Sequence, residues 1–179
     1  MLLLNIERLI TQFSNLLGKI SALLFIALLF NVFIDVVMRY AFNDVSIGMQ
    51  ELEWHLYASL FLLGIPYGIQ NGGHVRVDLI YENLPIKSKA WIDLFGCLIL
   101  LIPFTLLVGY YGIFFAHEAF VLGETSPDPG GLTNRWIIKA VIPFAFFSMA
   151  LSGIGMILRS INAIRGLSEE GFNHPPIQH

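Results

Sequence analysis

Four long apolar runs alternate with short polar segments, and their lengths decide the first reading. The run at 20–38 has nineteen residues, which as a helix rises about 28 Å and matches the hydrocarbon core of a bilayer. Further runs at 52–70, 91–115 and 136–158 are long enough to do the same. The pattern predicts an all-α integral membrane protein with four transmembrane helices. Ahead of the first run, Leu2, Ile6, Leu9, Ile10, Phe13 and Leu17 recur near helical spacing. Asn5, Glu7, Arg8, Thr11, Gln12 and Asn15 lie between them. That alternation predicts an N-terminal amphipathic helix lying in the membrane interface. Residues 1–165 then form one four-helix membrane domain, and 166–179, polar and carrying Pro175-Pro176, a flexible cytoplasmic tail.

Within the runs, small residues recur on one face. Gly64, Gly68 and Gly72 repeat every four residues in the second, and Ala145, Ser148, Ser152 and Gly155 share a face of the fourth. Such faces let helices approach closely in lipid. Pro66 and Pro103 interrupt the second and third runs. Two prolines and two glycines between Glu124 and Gly131 mark a loop or turn.

Composition agrees. Of 179 residues, 56% are hydrophobic and 13% charged, about half the charged fraction of soluble domains, and mean hydropathy is +0.71. No basic stripe suits nucleic acid. Cys97 is the single cysteine, so a disulfide within the chain is excluded. The N-terminus lacks the pattern of a cleaved signal peptide and is expected to be retained.

Charge sets the expected orientation. Arg8, Lys19, Arg76, Lys87, Lys89, Arg159 and Arg165 fall on one side of the spans, and Arg39, Arg135 and Lys139 on the other. Seven cations against three place both termini in the cytoplasm, because cytoplasmic loops are enriched in Lys and Arg. Trp54, Trp91 and Trp136 each fall at the end of a run, where interfacial aromatics gather. The opposite surface is acidic, with Asp44, Glu51, Glu53, Glu118, Glu124 and Asp128.

Few residues suggest chemistry. Asp35 falls inside the first run, where a carboxylate is costly, with Asn31 and Arg39 on its face at i−4 and i+4. An Asp35–Arg39 pair is the reading favoured over a partner contact or proton handling. Glu51 can meet His55 four residues on as a local pair. His74, Arg76 and Asp78 follow a Gly-Gly turn and are read as structural or subunit contacts. Lys139, three residues into the fourth run beyond Arg135, can snorkel outward. No catalytic triad, phosphate loop or metal cluster can be argued. Catalytic, cofactor and metal sites are expected to be absent, and so is enzyme activity. Nor do the runs show the broken helices with midplane polar residues that mark substrate paths. The chain reads as companion to a larger transport protein.

Several blocks carry a resemblance. They are Arg39-Tyr40-Ala41-Phe42-Asn43, Glu51-Leu52-Glu53-Trp54-His55-Leu56, Phe61-Leu62-Leu63-Gly64 and His74-Val75-Arg76-Val77-Asp78. Further on come Glu124-Thr125-Ser126-Pro127-Asp128-Pro129-Gly130-Gly131-Leu132, Arg135-Trp136-Ile137-Ile138-Lys139 and Pro143. In this order and spacing they resemble the small, Q-type membrane subunit of tripartite ATP-independent periplasmic (TRAP) transporters. The resemblance implies a bacterial or archaeal inner-membrane protein without cofactor of its own. Its partners would be a large membrane subunit, which holds sodium and substrate and moves in an elevator manner, and a periplasmic substrate-binding protein. The cargo would be an organic acid, and the small subunit would pack beside the scaffold of the large one. The small-residue faces and the lack of a pathway here suggest that it braces that scaffold, and the acidic outer loops that it helps dock the binding protein. Two rivals stand beside this reading: a haem-binding electron-transfer subunit using His55 and His117, and an autonomous proton-coupled exporter using Asp35.

Overall fold

A computed structural model describes residues 2–71 and 84–166. The described residues form four helices: α1 (Leu2–Ala41), α2 (Ile47–Gln70), α3 (Ile86–Val121) and α4 (Trp136–Ile164). By length and composition, three of them, α1, α3 and α4, can cross a membrane. α2 falls short because Glu51, Glu53 and His55 crowd its first turns and dilute its apolar run. His74, Arg76 and Asp78, with Gly72 and the tail beyond Gly166, lie outside the described residues.

α1 corrects an expectation. The N-terminal segment is not a separate interfacial helix; it runs without a break into the first span as a helix of 40 residues. No proline interrupts 2–41, and Gly18 alone is too small a penalty to stop a helix. The segment is also packed rather than laid on a surface, since Ile10, Ser14 and Leu17 are buried. Asn43, in left-handed backbone at φ 56°, turns the chain, and the Ser46 side chain caps α2 by accepting from the Met49 N–H at 3.4 Å.

α3 contains a π-helical turn at Cys97–Leu101, where the Ile102 N–H donates to the Cys97 carbonyl. Pro103 explains it. Proline has no N–H and clashes with the carbonyl four residues back, and one wider turn removes the clash without ending the helix. α3 is also longer at both ends than the run at 91–115, with Pro85 as its N-cap.

The helices pair as two antiparallel hairpins, α1–α2 and α3–α4. α4 is central: it packs on α1, α2 and α3, whereas α3 packs chiefly on α4. The expected small face of α4 is its packing face, with Ala145, Ser148, Ser152 and Gly155 all buried. A methyl group on Gly112 would lie 3.2 Å from the Pro143 ring, and one on Gly109 3.2 Å from Phe147. The glycine face of α2 holds in part. Gly64 faces Ser21, but a Cβ on Gly68 would meet nothing within 4 Å, so no neighbour within the chain requires glycine at that position.

Candidate functional site

Polar side chains gather in two layers, one at each end of the bundle. The layer at the start of α2 is built on Glu51. Its carboxylate accepts from the Ser126 hydroxyl and, at 2.6 Å, from the Leu132 backbone N–H. Both donors belong to the loop between α3 and α4, so Glu51 ties one hairpin to the other. The loop is ordered: Ser126 N–H donates to Leu132 O at 3.0 Å and Arg135 N–H to Glu124 O at 3.1 Å. Gly130 adopts φ +83°, a left-handed conformation suited to glycine. A Cβ on Gly131 would press on Ser126 and sit 2.9 Å from the Glu51 carboxylate. The Ser126 hydroxyl, then the Leu132 amide, hold the Glu51 carboxyl below its usual range because they stabilise the charged form.

Close by, Lys139 turns to Glu124 in an ion pair and lies 4.1 Å over the Phe115 ring. The Asp35–Arg39 pair forms as expected, at 2.6 Å, with the Asp35 side chain nearly buried. Asn31, one turn below, donates to the Met49 carbonyl at 2.9 Å. Asp128 is exposed, its N–H held by Ser126 Oγ at 3.2 Å. Glu53 is half-buried on α2 and Arg135 half-buried at the start of α4. Glu51 spends its hydrogen bonds on the loop, not on the local His55 partner that spacing suggested. A partner 75 residues away leaves no trace in helical periodicity.

The second layer, at the start of α1, was missed. Glu7 accepts from Arg159 Nε at 3.4 Å and from Asn162 Nδ2 at 3.0 Å. Arg159 Nη1 also donates to the Gln70 carbonyl at 2.9 Å, and the Gln70 amide donates to Thr11 Oγ1 at 2.7 Å. One turn deeper, the Ser14 and Ser152 hydroxyls bond at 2.8 Å. The available signal was spacing. Glu7, Thr11 and Ser14 share a face of α1, and Arg159 and Asn162 stand three apart on α4.

Both layers join helices to one another. Among the described residues no group of three or more His, Cys, Asp or Glu could hold a metal ion. His55 and His117 stand on α2 and α3, and α4 packs against both helices.

The comparisons with known proteins agree with the resemblance. Residues 28–163 match the family described as tripartite ATP-independent periplasmic transporters, DctQ component. The chain is 25% identical over 152 residues to the ectoine TRAP transporter small permease protein TeaB of Halomonas elongata, covering 84% of this chain and 75% of TeaB. It is 25% identical over 127 residues to the sialic acid TRAP transporter permease protein SiaT of Haemophilus influenzae, covering 70% of this chain but only 20% of SiaT. With three long apolar helices and a family match across most of its length, this chain is a multi-pass membrane protein that belongs to the DctQ family of small TRAP transporter subunits.

Proposed function

We propose that this subunit is a rigid brace for a larger permease subunit rather than a conduit. The observation that carries the reading is the clamping of its two hairpins at three levels: Glu51 on the 124–134 loop, Ser14 on Ser152, and Glu7 on Arg159 and Asn162. Those contacts join the hairpins in part through buried polar groups, Ser14, Ser152 and Asn162. A bundle so tied resists shear while a neighbour moves. The match to a fifth of SiaT supports a large partner, because there a segment like this chain is part of a much longer permease. In this reading α2 is a fourth span, both termini are cytoplasmic, and the membrane is the bacterial or archaeal inner one. Sodium coupling and an organic acid cargo belong to the large subunit. The cargoes in the relatives' names, sialic acid and ectoine, both carry a carboxylate, which favours that class.

The test is uptake of a labelled carboxylate into proteoliposomes holding the large permease subunit and supplied with the binding protein, with and without this chain. Uptake is expected only when both membrane subunits are present and a sodium gradient is imposed. Equal uptake without this chain refutes the brace, and uptake by this chain alone would favour an autonomous transporter.

A role in docking the binding protein rests on the ordered loop. Glu124 is engaged by Lys139; Glu118 on α3 is exposed at that end, as are two loop carboxylates, Asp44 and Asp128. Reversing both loop charges should lower uptake and flatten its salt dependence. Unchanged uptake would remove the docking role.

A further inference from the structure

α1 carries a polar stripe that no contact within the chain absorbs. Asn5, Arg8, Gln12, Asn15 and Lys19 follow one another at intervals of three or four, so they share one face of the helix. Four of them are exposed and Asn15 is half-buried. The buried face of the same stretch is Ile10, Ser14 and Leu17. Gln12 lies two residues from Ile10 and from Ser14, and Asn15 two from Leu17. Two residues are about 200° around an α-helix, so the stripe points away from the bundle. It holds two cations and three amides and no carboxylate.

Lipid alone satisfies this stripe poorly. From Asn5 to Lys19 it extends about 21 Å along the axis, whereas the headgroup layer of one leaflet is about 5–8 Å thick. The Asn5 and Arg8 end reaches past it to water, but Thr11 is already level with Gln70 at the end of α2, so Gln12, Asn15 and Lys19 run beside the apolar body of that helix. α1 cannot lie flat to bring the whole stripe into that layer. Contacts with α2 and α4 from Glu7 to Asn31 hold it along the bundle. The Lys19 end runs beside apolar chain, since the neighbouring Gly18 sits against Tyr67 and Ser21 donates to Leu60 O at 2.6 Å. Lys19 can snorkel from there, but Gln12 and Asn15 lack the long charged stems that snorkelling requires. Amides on a membrane helix face are suited to hydrogen bonding with another helix.

We propose that this stripe is the docking line for a helix of the large permease subunit, one that presents carboxylate or amide acceptors at matching spacing. The inference rests on the subunit reading and adds which surface meets the partner. The charge sign sets the chemistry of the partner: two donor-only cations and no acid require acceptors opposite. In lipid those acceptors do not reach the depth of Gln12 and Asn15; on a helix packed alongside α1 they do.

The experiment uses the full chain co-expressed with its large permease subunit. A photo-crosslinking residue is placed at Gln12 or Asn15, and separately Gln12, Asn15 and Lys19 are all changed to Leu. Cross-linking to the large subunit is expected. The triple variant should lower its co-purification about tenfold, as removal of three interhelical polar contacts implies, with helix content and thermal unfolding of the small subunit unchanged. If the unmodified pair co-purifies but neither variant differs from it and no cross-link forms, the stripe is lipid-facing. The inference is then overturned while the subunit reading stands. Should the unmodified chain fail to recover the large subunit at all, the subunit reading fails and takes the inference with it.

Discussion

Replacing Glu7 with Ala should destabilise this protein by about 2 kcal/mol, and the figure follows from which partners are left stranded. Glu7 serves two donors, Arg159 Nε and Asn162 Nδ2. Arg159 loses little, because its side chain is 20% exposed and Nη1 keeps the Gln70 carbonyl; a partly solvated ion pair contributes about 0–1 kcal/mol. Asn162 loses more. It is 1% exposed, and its Oδ1 already lacks a partner among the described residues, so its amide donor would be stranded in a dry interface. An unsatisfied buried donor costs about 1–3 kcal/mol. Together these give about 2 kcal/mol, near thirtyfold in the folding equilibrium. Glu7→Gln should cost less, because its amide oxygen still accepts from Asn162. The measurement is reversible unfolding in detergent micelles followed by tryptophan fluorescence, with a double-mutant cycle through Asn162→Ala. Coupling below about 0.3 kcal/mol, within the additivity expected of independent sites, would refute the clamp.

Two more perturbations separate neighbouring readings. Gly112→Leu should destabilise the bundle by about 1–3 kcal/mol through overpacking, because a Cβ there already lies 3.2 Å from the Pro143 ring, whereas Gly68→Leu has free space and should leave the thermal unfolding of the isolated subunit unchanged; equal effects would show the packing to be misassigned. The Glu51 tie should be insensitive to pH near neutrality and release in acid. Its folded value is depressed below the ordinary 4.5, so the stabilisation is complete above that ordinary value and fades as pH falls through the lower folded one. Titrating the amide NMR shift of Leu132 tests this, and a midpoint at or above 4.5 would contradict the bond.

Hydrophobic pattern showed the helices because each buried or lipid-facing run is long and local. It gave α4 from its first residue, Trp136, and it gave the small face on which Ser148 and Ser152 are buried. It misread the start of α1, because Glu7, Thr11 and Ser14 look the same whether polar atoms meet headgroups or Arg159, Gln70 and Ser152. The choice depends on a helix more than 130 residues away. Glu51 was singled out for its charge, yet its partners needed the fold of a loop whose register no periodicity encodes. Asp35 and Arg39 were legible because they lie one helical turn apart, as spacing alone requires.

The π turn in α3 sets the phase of the whole helix. Its buried positions run Ala90, Asp93, Cys97, Thr105, Gly109, Gly112, Ala116 and Ala119. From Cys97 to Thr105 and on to Gly109 that seam advances by eight and then four residues, slower than 3.6 residues per turn allows, and the extra residue takes up the difference. Adding one more residue between Cys97 and Leu101 would therefore rotate the far half by about 100°, whereas deleting one would return the seam to plain α-helical spacing and restore the clash at Pro103. With the added residue, Gly109 and Gly112 would turn away from α4, and Val108 and Tyr111 would take their places against Phe147 and Pro143. In a monotonous apolar stretch, where any residue looks exchangeable for any other, the number of residues thus decides which face of α3 meets α4.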